Sequence, residues 1–337
     1  MNYKVIGLFI ARILSFEALF LTPALGISVF NKEYPAAKGF LISMGIILLL
    51  AGILYLICRG APSAFRAKEG LACVGVSWIV LSLAGCLPFW LSREIPHFVD
   101  AFFEIVSGFT TTGASILTDV EAMEKGLLFW RSFTHWIGGM GVLVFLMVFL
   151  SGVSNRTIHI IRAEMPGPTV GKLVPKVKDT AKILYVIYLV MTFIQVICLL
   201  LSGMDLFHSL VHTFGSAGTG GFGVYADSAA SLTHAQQWII GIFMMIFGVN
   251  FNLYYFVLIK KFKSAIKNEE LLTYAIIVLF SVVTITMNIR PLYEGISESL
   301  RYAAFQVAAV ISTTGFAVLH SKLFVKVPSL SFFLFMS

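Results

Sequence analysis

Long uninterrupted apolar stretches constrain the fold of this chain more than any other feature of its sequence. Seven of them approach or exceed the roughly 20 residues that an α-helix needs to cross a bilayer. They comprise residues 5–29, 36–58, 70–91, 126–150, 181–202, 236–259 and 271–288, and an eighth begins near Leu323. Because lipid offers the backbone no hydrogen-bond partner, such segments are expected to be helical. The sequence therefore predicts an all-α integral membrane protein.

The composition agrees with this class and excludes several others. Only 12% of the residues are charged and 58% are hydrophobic, whereas about 25% are charged in a typical soluble domain. Basic residues and exposed aromatics do not cluster, so nucleic acid is not an expected partner. The sequence contains no phosphate-binding loop, no dinucleotide fingerprint and no nucleophile elbow. An enzyme or a bound cofactor is therefore not expected.

The positions of the cations predict how the chain is oriented in the membrane. Basic residues follow the second, fourth and sixth stretches: Arg59, Arg66 and Lys68; Arg156, Arg162, Lys172, Lys176 and Lys178; Lys260, Lys261, Lys263 and Lys267. Lysine and arginine in short loops favour the cytoplasmic side. By contrast, residues 93–125 carry six acidic residues and two basic ones. We expect a cytoplasmic-membrane protein with its N-terminus in the cytoplasm and the acidic segment outside.

A short motif recurs three times between the apolar stretches, at intervals of roughly 100 residues. Its copies comprise Thr111, Thr112 and Gly113; Thr219, Gly220 and Gly221; and Thr313, Thr314 and Gly315. Six residues before the last glycine stands a small residue: Ser107, Gly215 or Ala309. Nine residues before it stands a polar one: Glu104, His212 or Gln306. The agreement at three positions indicates one structural unit that is repeated around an axis.

Each copy is predicted to enter the membrane and leave on the same side. A candidate helix of about 11 residues precedes each motif, starting near Asp100, Asp205 or Ser297, which are residue types that can cap a helix. Such a helix rises only about 16 Å, roughly half the hydrocarbon thickness. Irregular backbone at that depth is tolerated where it lines a water or ion pathway. The loops are therefore expected to re-enter the membrane and line a pore.

The chemistry of these loops suits a monovalent cation. Backbone carbonyls of extended loops can replace the hydration shell of an ion. Gly113, Gly221 and Gly315 would allow positive φ angles and close approach of the backbones, and the threonines two residues earlier could add hydroxyl oxygens. The helix C-termini would also present partial negative charge to a cation. The nine motif residues are accordingly the predicted ion-binding selectivity filter, with an alkali cation as substrate and no other metal.

Three further pairs of polar residues lie in or near apolar stretches: Arg12 and Glu17, His208 and His212, and Asn250 and Asn252. The first pair is more typical of snorkelling or paired charges than of transport residues. The histidines have the i,i+4 spacing of metal ligands, but a polar contact behind the loop is the favoured interpretation. The asparagines are expected to bond to a neighbouring helix, with a place along the ion pathway as the alternative.

Two segments carry a family resemblance. The run WRSFTHWIGGMG at 130–141 and Gly-Val-Asn-Phe at 248–251 resemble inner helices of the Trk/Ktr/HKT superfamily of potassium transporters, most closely its bacterial TrkH branch. The resemblance implies a K+ channel-like fold of repeated outer helix, re-entrant pore loop and inner helix, preceded by an N-terminal helical hairpin. It also implies potassium as substrate, a homodimer and a cytosolic TrkA-type nucleotide-binding regulatory subunit. In that family, glycine at the position of Gly113 accompanies potassium preference.

The repeats divide the sequence into four parts. These are an N-terminal hairpin at 1–60 and pore repeats at 61–155, 156–266 and 267–337. The family fold has a fourth repeat that this sequence does not contain, so a fragment or a truncated gene product is expected. Two alternatives to potassium uptake remain open: sodium or mixed potassium and sodium permeation, and a truncated protomer that conducts nothing.

Overall fold

A computed structural model of the chain describes residues 2–61, 67–141, 177–293 and 295–318. Within these ranges the protein consists of helices and loops and contains no β-strand. Five of the described helices are long and apolar enough to cross a membrane. The chain forms two compact units, Met1–Lys182 and Ile183–Ser337. The all-α membrane fold expected from the apolar stretches is therefore confirmed.

The first unit packs around its N-terminal helix. Its helices are α1 (Tyr3–Phe30), α2 (Tyr34–Cys58), α3 (Ala67–Gly85), α4 (Leu87–Ser92), α5 (Phe98–Phe109) and α6 (Lys125–Gly139). Helix α1 contacts α2, α3 and α6, and α5 packs between α3 and α6. Glycine permits the closest of these contacts: a β-carbon on Gly126 would lie 1.8 Å from the Ser28 hydroxyl of α1. This close approach joins α6 to α1, while one face of the short α5 is buried against α3 and α6.

The second unit contains α7 (Val177–Leu201), which starts just before the unit boundary, and the helices that follow. These are α8 (Leu206–Ala217), α9 (His234–Phe247), α10 (Phe251–Leu258), α11 (Phe262–Ile266), α12 (Glu269–Ile289) and α13 (Ile296–Ile311). A short 3₁₀ helix, Arg290–Leu292, follows α12. Helix α13 packs against α9 and α12. Apolar side chains of α9 and α13, including Ile240, Met244 and Phe305, form the buried core of this unit.

The sixth apolar stretch is not one continuous helix, which corrects the prediction for residues 236–259. It forms α9 and α10, separated at 248–250. Gly248 and Asn250 favour a helix end in this position. Two tyrosine hydroxyls donate hydrogen bonds to carbonyls of the last turn before the break. Tyr254 donates to Ile246 O at 2.6 Å, and Tyr274 donates to Met245 O at 3.0 Å. Hydropathy alone does not reveal such a break.

The remaining helix predictions have mixed outcomes. The stretch at 70–91 forms α3 and α4 with a turn at Cys86. Of the stretch at 126–150, residues up to Gly139 are helical, and 142–150 lie outside the described residues. The predicted helix from Leu323 also lies outside them.

The three predicted short helices are confirmed as α5, α8 and α13, with 12, 12 and 16 residues. Asp205 caps α8 as expected, accepting a hydrogen bond from His208 N–H. Asp100 and Ser297 instead lie inside the first turns of their helices, which follow His97 and Gly295. Burial alone would raise the pKa of Asp205, but the hydrogen bonds from His208 lower it below its usual value. This stabilises the ionised cap.

Two glutamates cap each other's helices in the first unit. Glu33 precedes α2, yet its carboxylate accepts from Lys125 N–H and Gly126 N–H of α6 at 2.9 and 3.0 Å. Glu124 precedes α6, and its carboxylate accepts from Ala36 N–H of α2 at 2.8 Å. Burial and the charges of Glu124 and Glu33 raise the pKa of nearby Glu94. This reciprocal capping joins the start of α2 to the start of α6.

Replacing Glu33 with alanine is expected to lower the free energy of unfolding by about 1–2 kcal/mol, because two N–H groups of α6 lose their acceptor. Glu33→Gln keeps one side-chain oxygen and should lose less. The measurement is thermal unfolding of the purified protein in detergent. Equal unfolding midpoints for wild type and both variants would show that α6 does not depend on this contact.

Candidate functional site: three equivalent loops

The three short helices end in the same backbone turn. Thr111, Thr219 and Thr313 have φ angles of 54°, 53° and 59°, and the glycines two residues later have angles of 75°, 80° and 77°. In each turn the threonine N–H bonds to the carbonyl three residues earlier, namely that of Gly108, Ser216 or Val310, at 3.0–3.1 Å. A left-handed residue with this bond is the usual way to close a helix C-terminus. The motif therefore encodes one conformation three times.

The small residues six positions before each glycine have a definite role in this turn. The carbonyl of Ser107 accepts from Thr112 N–H at 2.9 Å, and that of Gly215 accepts from Gly220 and Gly221 N–H at 3.0 and 3.2 Å. The carbonyl of Ala309 accepts from Gly315 N–H at 3.2 Å. The first residues of the loop are thereby bonded back to the last helical turn. The backbone carbonyls of these loop residues take no part in these bonds.

The left-handed threonines were not anticipated from the sequence, which pointed only to the glycines. A β-branched residue with positive φ is a genuine outlier, and such strain costs about 1–3 kcal/mol per residue and collects at functional sites. Because the left-handed threonine occurs at the equivalent position of all three loops, we infer that the loop structure requires this conformation. The sequence feature that could have indicated this conformation is a threonine that follows a small or short polar residue at the end of each short helix.

Hydroxyl groups next to the turns bond to the protein itself. Thr110 Oγ1 and Thr112 Oγ1 are 2.8 Å apart in the first loop, and Ser312 Oγ and Thr314 Oγ1 are 2.7 Å apart in the third. The second loop has glycines at the corresponding positions, 218 and 220. Thr313 Oγ1 donates to Ser312 O at 2.6 Å. Backbone carbonyls are therefore better placed than this hydroxyl to serve as ion ligands.

A buried ion pair anchors the first loop. Glu104 Oε1 accepts from Arg131 Nε of α6 at 2.6 Å and from Ser115 Oγ at 2.8 Å. Its second oxygen accepts from Ile116 N–H at 3.0 Å. Glu104 is fully buried and Arg131 is 3% exposed. The carboxylate thus fixes the returning strand, two and three residues beyond Gly113, to the helix that precedes it and to α6.

The equivalent positions in the other repeats use different chemistry. His212 is fully buried and lies against Tyr225 and Phe316, with ring centroids 6.0 and 5.8 Å away. A β-carbon on Gly223, two residues beyond the loop glycine, would be 3.3 Å from its ring. Within the described residues, neither ring nitrogen of His212 nor Gln306 Oε1 has a hydrogen-bond partner. Glu104, His212 and Gln306 thus occupy equivalent positions, but among the described residues only Glu104 forms an ion pair there.

The second and third loops meet within the second unit. A β-carbon on Gly221 would lie 2.1 Å from Thr314 O, so the two backbones touch at the filter motif. The strands beyond them are also bonded: Ala229 N–H donates to Ala317 O at 2.9 Å, and Ala317 N–H donates to Ser228 Oγ at 3.0 Å. Two of the three predicted filter segments are therefore brought together.

A polar network behind these loops joins α9 and α13. Gln237 Nε2 donates to the carbonyls of Ala229 and Leu232 at 2.9 and 3.1 Å, and Gln237 Oε1 accepts from Arg301. Arg301 is 4% exposed and also lies over the Tyr302 ring. Sequence reasoning missed both residues, because neither belongs to the repeated motif. They fix the segment that follows the second loop.

The other predicted site residues lie away from the loops. Asn250 Nδ2 donates to Glu270 Oε2 at 3.0 Å, next to the break between α9 and α10, which agrees with the helix-contact interpretation. Asn252 lies in α10, and its side chain is outside the described residues. His208 bonds to Asp205. No group of three potential metal ligands occurs among the residues that the structure describes.

The apolar helices and the three short helices that end in the same turn define the class of this protein. It is a helical membrane protein in which one short helix and turn recur between longer apolar helices. Residues 37–323 match the TrkH family, described as "Cation transport protein", and the chain belongs to this family. That assignment places the chain in a family of cation transport proteins, as the resemblance in sequence implied.

Individual relatives agree with the family. The potassium uptake protein TrkH of Salmonella typhimurium is 30% identical over 320 residues, which cover 93% of this chain and 65% of the relative. TrkG of Escherichia coli is 29% identical over 276 residues, covering 81% and 57%. The crystal structure of the potassium transporter TrkH from Vibrio parahaemolyticus superimposes with a TM-score of 0.78 at 26% identity, covering 95% of this chain and 66% of that one. The chain thus spans less than two thirds of the length of these relatives, from 57% to 66%.

Proposed function

We propose that the protein to which this chain belongs takes up potassium through a filter made of the three loops. The filter residues are Thr111, Thr112 and Gly113; Thr219, Gly220 and Gly221; and Thr313, Thr314 and Gly315. One observation carries the proposal: the same left-handed threonine and glycine occur in all three turns. Equivalent turns present equivalent carbonyls, which is what replacement of a hydration shell requires.

The surroundings of the loops favour a cation. Each filter segment follows the C-terminal end of a short helix, where the carbonyls carry partial negative charge. The glycines have no side chain that could intrude on an ion, and Gly221 lets the second loop touch the third. A neutral filter of this kind binds a monovalent ion without trapping it.

Potassium is the proposed ion because the relatives are named as potassium uptake proteins and because glycine stands at position 113. The membrane potential would drive inward movement, contributing about 2.3 kcal/mol per charge for each 100 mV. No covalent step and no bound cofactor is required. Permeation of sodium together with potassium is the rival function.

The proposal includes an arrangement in the cell. In this arrangement the N-terminus lies in the cytoplasm and the filter loops lie on the outer side of the cytoplasmic membrane, which is proposed because lysine and arginine in short loops favour the cytoplasmic side. The expected repeat boundaries at 61–155, 156–266 and 267–337 are retained, with one filter loop in each. A homodimer and a cytosolic TrkA-type nucleotide-binding subunit, docking on the basic loops, are the proposed partners.

Rubidium uptake tests the function. Full-length protein carrying this chain, expressed in cells that lack potassium uptake, is expected to take up rubidium in competition with potassium but not with sodium. Gly113→Ser should weaken this preference, since serine at this position accompanies sodium transport in some plant members of the superfamily. Equal competition by both ions in the wild type would favour mixed permeation. Absence of uptake by full-length protein that reaches the membrane would refute the proposed function. Ion flux through residues 1–337 expressed alone in vesicles would exclude the alternative that the truncated protomer conducts nothing.

A further inference from the structure

Glu17 is a carboxylic acid in the middle of α1, the first spanning helix (Tyr3–Phe30). It is only 2% exposed and lies on the buried stripe of the helix with Leu14, Ala18 and Leu21. Arg12, the other charged residue of this stretch, is exposed. The two therefore do not form the pair of charges that their proximity in sequence suggested.

The space around the carboxyl group is apolar and closely packed. A β-carbon on Gly85, at the end of α3, would lie 2.9 Å from Glu17 Oε1, 3.0 Å from a ring carbon of Phe109 and 3.2 Å from a methyl carbon of Ile105. The absence of a side chain at Gly85 makes room for the carboxyl group there. The Gly85 carbonyl is itself engaged, because it accepts from Trp130 Nε1 at 2.9 Å.

No described cation neutralises this carboxyl group, and neither of its oxygens has a hydrogen-bond partner among the described residues. On α6, Arg131 pairs with Glu104 of α5, and His135 bonds to the Ser107 backbone. The ionisable residues of α2 that precede its last turn are exposed: Tyr34, Lys38 and Tyr55. Cys86, which follows α3, is the titratable group that interacts with Glu17 electrostatically, and a neutral thiol supplies no countercharge.

A buried carboxyl group in this setting can take a metal cation or a proton. A cation that loses its water needs several oxygens at close range, and the surroundings are ring and methyl carbons. An unpaired carboxylate in a medium of low dielectric is strongly disfavoured, and such groups neutralise instead. The proton is therefore the ligand that fits.

We propose that Glu17 is a proton-binding site inside the membrane, occupied at neutral pH. The Phe109 ring that shares its space belongs to the last residue of α5, directly before the first Thr-x-Gly loop. Loss of the proton to water would place a full negative charge beside a helix C-terminus that already carries partial negative charge. Deprotonation thus loosens the support of the first loop, whether or not that loop conducts ions.

Infrared spectroscopy tests the occupancy directly. Full-length protein in lipid nanodiscs at neutral pH is expected to show the carbonyl band of a protonated carboxylic acid, and Glu17→Gln should remove it. Glu269→Gln, at an exposed position of α12, is the matched control and should leave the band unchanged. A wild-type spectrum without such a band, or one whose band survives Glu17→Gln, would overturn the proposal.

A pH series supplies a second measurement that does not depend on the variant. In the wild type the band should persist at neutral pH and vanish only on alkalinisation. The thermal midpoint should fall from the ordinary pKa of a glutamate, about 4.3, up to the pH at which the band vanishes, and should level off above it. The sign follows from linkage, because a proton held by the folded state and released by the unfolded one makes stability decrease as pH rises. Glu17→Gln should abolish this decrease. A band lost below neutral pH, or identical pH profiles for both proteins, would contradict the site.

Discussion

Replacing Gly221 with alanine is expected to abolish rubidium uptake and to destabilise the second unit by about 2–5 kcal/mol. Two effects combine at this position. The residue has a φ angle of 80°, which disfavours a side chain. In addition, the new β-carbon would lie 2.1 Å from Thr314 O, so the backbones of two loops would have to separate.

Gly315 provides a matched comparison for this experiment. Its φ angle is 77°, but a β-carbon there would meet nothing within 4 Å. Gly315→Ala should therefore cost only the conformational strain, about 1–2 kcal/mol. Gly45→Ala in α2, also in open space, should be neutral or slightly stabilising. Thermal unfolding and rubidium uptake are measured for all three variants. Equal unfolding midpoints and equal uptake for the Gly221 and Gly315 variants would contradict the contact between the two loops.

Replacing Arg131 with methionine is expected to cost about 3–5 kcal/mol of stability, because it leaves the buried Glu104 carboxylate without its countercharge. The bonds from Ser115 Oγ and Ile116 N–H remain, but neutral donors do not replace the ion pair. Rubidium uptake should fall with stability, since the returning strand of the first loop depends on this carboxylate. Lys38→Met, at an exposed position of α2, is the control and should have little effect.

A double-mutant cycle separates the charge effect from the loss of packing. Glu104→Gln combined with Arg131→Met removes both charges and should recover most of the stability that the single variants lose. Uptake should recover less, because one amide oxygen cannot replace the two carboxylate oxygens that hold Ser115 and Ile116. Additive losses in the double variant would show that the ion pair contributes no coupling.

The contrast between the short helices shows where sequence patterns suffice. Their existence and approximate starts followed from apolar lengths and from a motif that repeats in sequence. At Asp205 the cap was also predicted correctly, because a cap bonds to an N–H only a few residues away. Asp100 and Ser297 are also residue types that can cap a helix, but they lie within the first turns of their helices. The residues at the N-cap positions of these two helices, His97 and Gly295, make no side-chain capping bond. The residue type alone therefore does not determine where a helix starts.

The break at 248–250 and the partners of Glu104 show where sequence patterns fail. Residues 236–259 are predominantly apolar and carry no charge, so hydropathy predicts one helix. The break is stabilised by Tyr274, which belongs to a different helix. Arg131 likewise lies 27 residues from Glu104, and no local spacing connects them.

The sequence by itself determined that this is an all-helical membrane protein with three copies of one loop, since segment length, hydropathy and motif recurrence are local properties of the chain. Only the tertiary structure decided that Glu33 and Glu124 exchange caps, that Gly221 touches Thr314, and that Glu17 is buried apart from Arg12. These contacts join residues far apart in sequence or on different faces of a helix. They depend on how whole helices pack, which no single stretch of sequence specifies.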